Sequence, residues 1–201
     1  MRGRLPVQPA GTGHEPTLSP GPRLLTVGHG TLSAAELVGL LGRVGVEAVV
    51  DVRSAPGSRR HPQFGRAELE QWMPAAGVGY RWEPDLGGFR RPVAGSHNIA
   101  LRHPSFRAYA DYMATDDFDT ALGRLLDEAN RQVVTAMCAE TLWWRCHRRL
   151  IADAATLLRG AEVSHLGHDG RLFVHRLTEG VRLDGKTLVY DVGSPPTEAI
   201  R

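Results

Sequence analysis

Lysine is nearly missing from this chain: of its 24 basic residues only Lys186 is a lysine. A coding bias toward arginine accounts for that composition as a whole. Arginine nevertheless grips phosphate and carboxylate through a planar fork that lysine lacks, so places where arginines cluster still carry information. Cysteine is almost as scarce, with Cys138 and Cys146 the two in 201 residues. That excludes a disulfide scaffold and suits a reducing compartment. No run approaches the ~18 apolar residues of a membrane span. The first 22 residues, rich in Pro, Gly and Thr, lack the apolar segment of a secretory signal and read as a disordered leader. A cytoplasmic location without a membrane partner is therefore expected. Internal repeats are absent, as are a Walker A loop, a Gly-x-Gly-x-x-Gly turn and a His-Glu-x-x-His site. Between Cys138 and Arg145 lie six residues, one more than a phosphatase loop allows. The net charge of +2 argues against extended duplex binding.

What is there alternates. "LLTVG" ends in Gly28 and is a short buried strand by length and composition. Ser33 with Glu36 makes a capping box, followed by Leu37, Leu40, Leu41 and Val44 at helical spacing. The valine-rich Val46 to Arg53 suits a strand covered on both faces. "RAELEQWMPAAG" predicts a helix ending near Pro74 to Gly77, and "VGYRWEP" a third strand. Residues 83–104 are irregular, a length that is usually functional or mobile. Two helices follow, then the strand "RQVVTAMC", the helix "CHRRLIADAATLLRG" and the strand "EVSHLG". Two Asp-Gly turns, at Asp169 and Asp184, predict a small C-terminal β extension over residues 179–201. The expected fold is a Rossmann-like α/β domain over residues 23–178, a mainly parallel sheet with helices on both faces. The polar groups then fall at strand carboxyl ends, where open α/β sheets build ligand crevices. His29 follows the first strand, Asp51 and Arg53 the second, and Gly87 and Gly88 the third. Cys138 and Glu140 follow the fourth, His165 and His168 the fifth.

Both cysteines lie in "MCAETLWWRCHRRLIAD". Cys138 ends a predicted strand, where a thiol serves equally as a small core residue. Cys146 falls at the first turn of a predicted helix beside Arg145, His147 and Arg148, a setting that stabilises a thiolate or a bound anion. Cys138, Cys146 and His147 also offer three ligands to a divalent metal, with His29 or His165 as a fourth, although the cysteine spacing is not that of a structural zinc clip. The loop "DVRSAPGSRRHPQF" crowds Arg53, Arg59, Arg60, His61 and Arg66 after a strand and suits a phosphate. Phe64, Trp82, Phe89, Trp143 and Trp144 supply rings on which a base can stack.

The strand end "TVGHG", the Arg-rich loop, "DLGG", the cysteine window and the His-x-x-x-Asp-Gly segment at His165 to Gly170 together resemble the domain-of-unknown-function 488 family. The resemblance runs from Arg23 to about Thr178. It implies a Rossmann-like fold and a pocket built from Gly28, His29, Asp51, Arg53, Pro56, Arg59, Arg60, Phe64, Gly87, Gly88, Cys138, Glu140, Cys146, His147 and Arg148. It supplies no reaction. The residues themselves give three expectations. One is a thiol enzyme acting on a phosphate-bearing or otherwise anionic small molecule or nucleic acid. There Cys146 or Cys138 is the nucleophile or redox thiol, and His147 or His29 the general base or acid. Asp51 and Glu140 orient partners or shuttle a proton, while Arg53, Arg59, Arg60, Phe64, Gly87, Gly88 and Arg148 bind substrate. The second is a non-catalytic nucleotide or nucleic-acid module that uses the Arg loop. The third is a metal-binding protein using Cys138, Cys146 and His147.

Overall fold

A computed structural model describes residues 21–191 except Ser58. All but the last two residues of the expected leader lie outside that range. Five strands are parallel: β1 (Arg23–Gly28), β2 (Ala48–Asp51), β3 (Gly79–Trp82), β4 (Val134–Cys138) and β5 (Glu162–Leu166). A sixth, β6 (Leu172–Val174), returns antiparallel on β5, so the order across the sheet is β3-β2-β4-β1-β5-β6. The first Asp-Gly turn therefore extends the main sheet. Only the second, at Asp184-Gly185, closes a separate hairpin of β7 (Val181–Asp184) and β8 (Thr187–Tyr190).

Five helices cover the sheet: α1 (Ala34–Arg43), α2 (Arg66–Ala75), α3 (Pro104–Tyr112), α4 (Asp116–Ala129) and α5 (Arg148–Arg159). The capping box is formed, with Ser33 accepting from Glu36 N and Glu36 from Ser33 N. Strand residues alternate between the two faces, as the pleat requires. Val49 and Met137 pack with Leu37, Leu41, Leu69 and Met73 of α1 and α2. Val50 and Ala136 pack with residues of α3, α4 and α5. Every residue of β2 and of β4 is buried, which is why these strands read as continuous apolar runs.

This layering sets where a ligand can enter. Strand β4 lies between β1 and β2. Both neighbours lead into helices on one face, α1 and α2, whereas β4 leads into α5 on the other. Successive connections diverge there and leave a crevice at the carboxyl edge, the switch point of an open α/β sheet. The pairing runs on past the strands, with His29 N donating to Cys138 O at 2.9 Å and Val52 N to Met137 O at 2.9 Å. His29, Cys138 and Val52 thus meet at the crevice floor. Of residues 83–104, the last, Pro104, opens α3, and the rest form no regular element beyond one 3-10 turn, Pro84–Leu86. The segment is pinned where Tyr109 donates to Leu86 O and Asn98 donates to Asp111.

Candidate functional site

A cleft of about 1020 Å³ opens over this floor. It is lined by His29, Arg53, Arg60, His61, Gly88, Cys138, Glu140, Arg145, Cys146 and His147, and by His103, Ser105 and Phe106 from the start of α3 and the residue before it.

The Arg-rich loop begins with a buried ion pair. Asp51 and Arg53 are 0% and 7% exposed. Arg53 donates Nε to Oδ1 at 2.8 Å and Nη2 to Oδ2 at 2.5 Å. Its Nη2 also reaches Phe64 O at 2.9 Å, and its Nη1 lies 3.2 Å from His29 Nε2. His29 places Nδ1 3.0 Å from Gly30 O. Nδ1 must therefore carry the proton, and Nε2 accepts from Arg53. Burial and the Arg53 charge lower the His29 pKa to about 4. A neutral ring with both nitrogens engaged positions Arg53 and has no lone pair left for a substrate proton. Asp51 is likewise engaged, because Tyr80 donates to Oδ2 at 2.8 Å; the carboxylate orients Arg53.

Cys138 and Cys146 both reach the cleft, at 9% and 4% exposure. The two sulfurs and His147 Nδ1 all lie within 4.8 Å of one another. His147 Nε2 is 3.0 Å from Val52 O, so Nε2 holds the proton and the Nδ1 lone pair faces the sulfurs. Nδ1 lies 3.5 Å from Cys146 Sγ and 4.0 Å from Cys138 Sγ. Arg148 completes the group. It is 1% exposed and makes no ion pair with a carboxylate among the described residues. Its Nε donates to Cys146 Sγ at 3.4 Å, and its Nη2 to Glu140 O. The Cys138 thiol, His147 and Arg148 together hold Cys146 well below the usual thiol range. Cys138 is pushed up, by Cys146 and by burial. Of the two thiols, Cys146 is therefore the one that ionises first.

Cys146 does not lie in the first turn of the helix. Helix α5 begins at Arg148, and Cys146 precedes it with an extended backbone, after a 3-10 turn over Trp143–Arg145. Within that turn Trp143 stacks on His165, with ring centroids 4.0 Å apart and planes at 6°. The side chains that approach the Cys146 sulfur are His147 and Arg148.

Two glycines make room for this cluster. A Cβ on Gly88 would lie 2.6 Å from His147 Nδ1, and one on Gly28 2.8 Å from Arg148 Nη2. Gly87 backs onto Ser54, whose Oγ accepts from Phe89 N at 2.9 Å. The other expected residues divide. Arg60 and Glu140 line the cleft, whereas Arg59 is exposed outside the lining. Phe64 is fully buried beneath His29, with ring centroids 4.1 Å apart, and does not meet a ligand. Trp82 donates Nε1 to Arg53 O and carries Arg66 over its ring. His165 lies within β5, 1% exposed, and does not follow it; His168 caps the edge of β1, with Nε2 2.7 Å from Gly28 O.

Sequence reasoning missed the α3 wall and a buried chain behind Cys146. The chain runs from Thr26 Oγ1 to His165 Nδ1 at 2.7 Å, from His165 Nε2 to His175 Nδ1 at 3.0 Å, and from His175 Nε2 to Asp153 Oδ1 at 3.0 Å. Asp153 sits at a core-facing position of α5 and gave no local signal of a partner 22 residues on.

The family described as "Domain of unknown function DUF488" matches residues 33–155, more than half of the chain. The matched span contains the Arg-rich loop and both cysteines but not β1, which supplies Gly28 and leads into His29. No curated protein and no solved structure matches the chain.

Proposed function

We propose that this chain, which belongs to the DUF488 family, is an enzyme in which the Cys146 thiolate attacks an anionic, phosphate-bearing substrate. The observation that carries this reading is Arg148. A guanidinium out of water with no carboxylate partner is costly, and the group its Nε reaches is Cys146 Sγ. A thiolate there balances the charge. His147 accepts the Cys146 proton at Nδ1 while its Nε2–H stays on Val52 O. Sulfur then forms a bond to the electrophilic centre, the leaving group departs with the electron pair of the broken bond, and the protonated His147 ring returns its proton to that group. Arg53, Arg60 and Arg145 at the cleft wall suit the substrate's negative charge.

A second reading uses the same atoms as metal ligands. His147 Nδ1 faces both sulfurs, and Val52 O orients the ring as an outer-shell partner does at metal sites. Arg148 weighs against it, since a fixed cation already touching one sulfur opposes a divalent ion. Site-resolved alkylation of Cys138 and Cys146 against pH, with and without chelator, separates the readings. Rapid labelling of Cys146 well below pH ~8.5, the ordinary thiol pKa, supports the thiolate. Labelling that appears only with chelator supports metal. Slow labelling of both under all conditions sinks the thiol mechanism.

A further inference from the structure

A second cavity, of about 510 Å³, adjoins the thiol cleft, and the two share His103, Phe106 and Trp144 as a common wall. Its far side holds Arg102, Arg149 and Arg176, with Glu179 as the one acidic residue in the lining. None of these arginines forms an ion pair among the described residues. Arg149 stands out. Its guanidinium lies 4.6 Å over the Phe106 ring, and its Nε is buried without a hydrogen-bond partner. The Arg149 side chain lines the cavity and has no carboxylate partner among the described residues, so an anion in the cavity would supply the missing countercharge. Of the first two residues of α5, Arg148 reaches Cys146, whereas Arg149 lines the second cavity over Phe106. Between them Trp144 is 50% exposed. Trp143 has one face committed to His165 and serves as a fixed wall.

We propose that the second cavity is an anion subsite centred on Arg149, and that Trp144 and Phe106 form a platform for a planar ring bridging it to the thiol cleft. The ligand that fits carries negative charge on both sides of a flat ring. That is the repeating pattern of a phosphodiester-linked nucleotide, as a dinucleotide or a short single strand, and aromatic side chains hold such bases by stacking. The assignment of this ligand as substrate rests on the Cys146 reading above; the subsite does not.

The test is fluorescence anisotropy of a labelled short oligothymidylate, with unlabelled thymidine monophosphate, a thymidine dinucleotide and inorganic phosphate as competitors. Wild type, Arg149→Met, Arg176→Ala and Trp144→Ala are compared, after thermal melts establish that each variant is folded. Cys146 alkylation is followed on the same samples. The expected result is that the dinucleotide or the oligomer binds at least about tenfold more tightly than the monophosphate, the size of one stacked base with one phosphate contact. Arg149→Met and Trp144→Ala remove that advantage, and Arg176→Ala, a surface change, reduces it. Equal competition by dinucleotide and oligomer assigns the smaller ligand; an oligomer advantage assigns a strand. The proposal is overturned if the monophosphate binds as well as the longer ligands, or if none of the three substitutions changes affinity. Normal two-cavity binding with an ordinary, slow Cys146 supports the subsite and refutes the thiol enzyme alone.

Discussion

Arg148 is the residue whose removal is most informative. Its Nε contact with Cys146 Sγ at 3.4 Å sets a charge against a charge in a site shielded from water. An opposite charge at that range favours the thiolate. Arg148→Met is therefore expected to raise the pH midpoint of Cys146 alkylation. An unchanged midpoint would show that Cys138 and His147 suffice. Asp51→Asn addresses the neighbouring pair. It leaves Arg53, 7% exposed, without its carboxylate. Breaking a buried pair by removing one partner costs about 3–5 kcal/mol, which a urea titration reads directly; a loss under ~1 kcal/mol would mean that water replaces Asp51.

Among the elements, the approach of the Gly87–Gly88 segment to the start of α5 decides the site. Gly88→Ala places a methyl 2.6 Å from His147 Nδ1. The ring must turn away, and Nδ1 is lost to the sulfurs. The prediction is a markedly slower Cys146 alkylation in a protein whose far-ultraviolet circular dichroism is unchanged; normal alkylation would separate His147 from the thiol. Helix α5 also clasps the C-terminal segment. Asp153 accepts from Thr178 N at 2.9 Å and from Tyr190 OH at 3.0 Å besides contacting His175. Asp153→Ala strands all three, at ~1–3 kcal/mol for each buried donor left unmade. Limited proteolysis should then cut within residues 175–191 well before the main sheet. Simultaneous loss of both would show that the segment folds as one unit with α5.

For the whole molecule, the buried histidines tie stability to pH. Burial and the Arg53 charge lower His29 to about 4, and burial with the neighbouring His175 lowers His165 to about 3. The unfolded chain protonates both near pH ~6.5. Above that pH neither ring binds a proton in either state, and their full contribution is present. As pH falls below it, the unfolded state gains protons that the folded state refuses, and stability is lost. With ~1.4 kcal/mol per pKa unit, the two together remove on the order of 5 kcal/mol by pH ~4. Urea midpoints should fall steadily from pH ~6.5 to ~4, with a shallower slope in His165→Gln. A flat profile over that range would mean that both rings titrate normally. No helix among the described residues is long and apolar enough to cross a membrane.

Local chemistry fixed much of this in the sequence. The apolar runs of β2 and β4, the Ser33 capping box and the Asp-Gly turns act over a few residues, and period and composition report them. The placing of His29, Asp51, Gly88, Cys138 and Glu140 at strand ends followed from those elements. The tertiary structure alone decided which atoms meet. It put β4 between β1 and β2, brought His147 to Val52 across 95 residues, buried Phe64 under His29 and withdrew His165 into β5. It also set Cys146 just ahead of α5, where Cys138, His147 and Arg148 surround its sulfur. Contacts over such separations depend on how layers pack, and packing leaves no periodic trace in the chain that it joins.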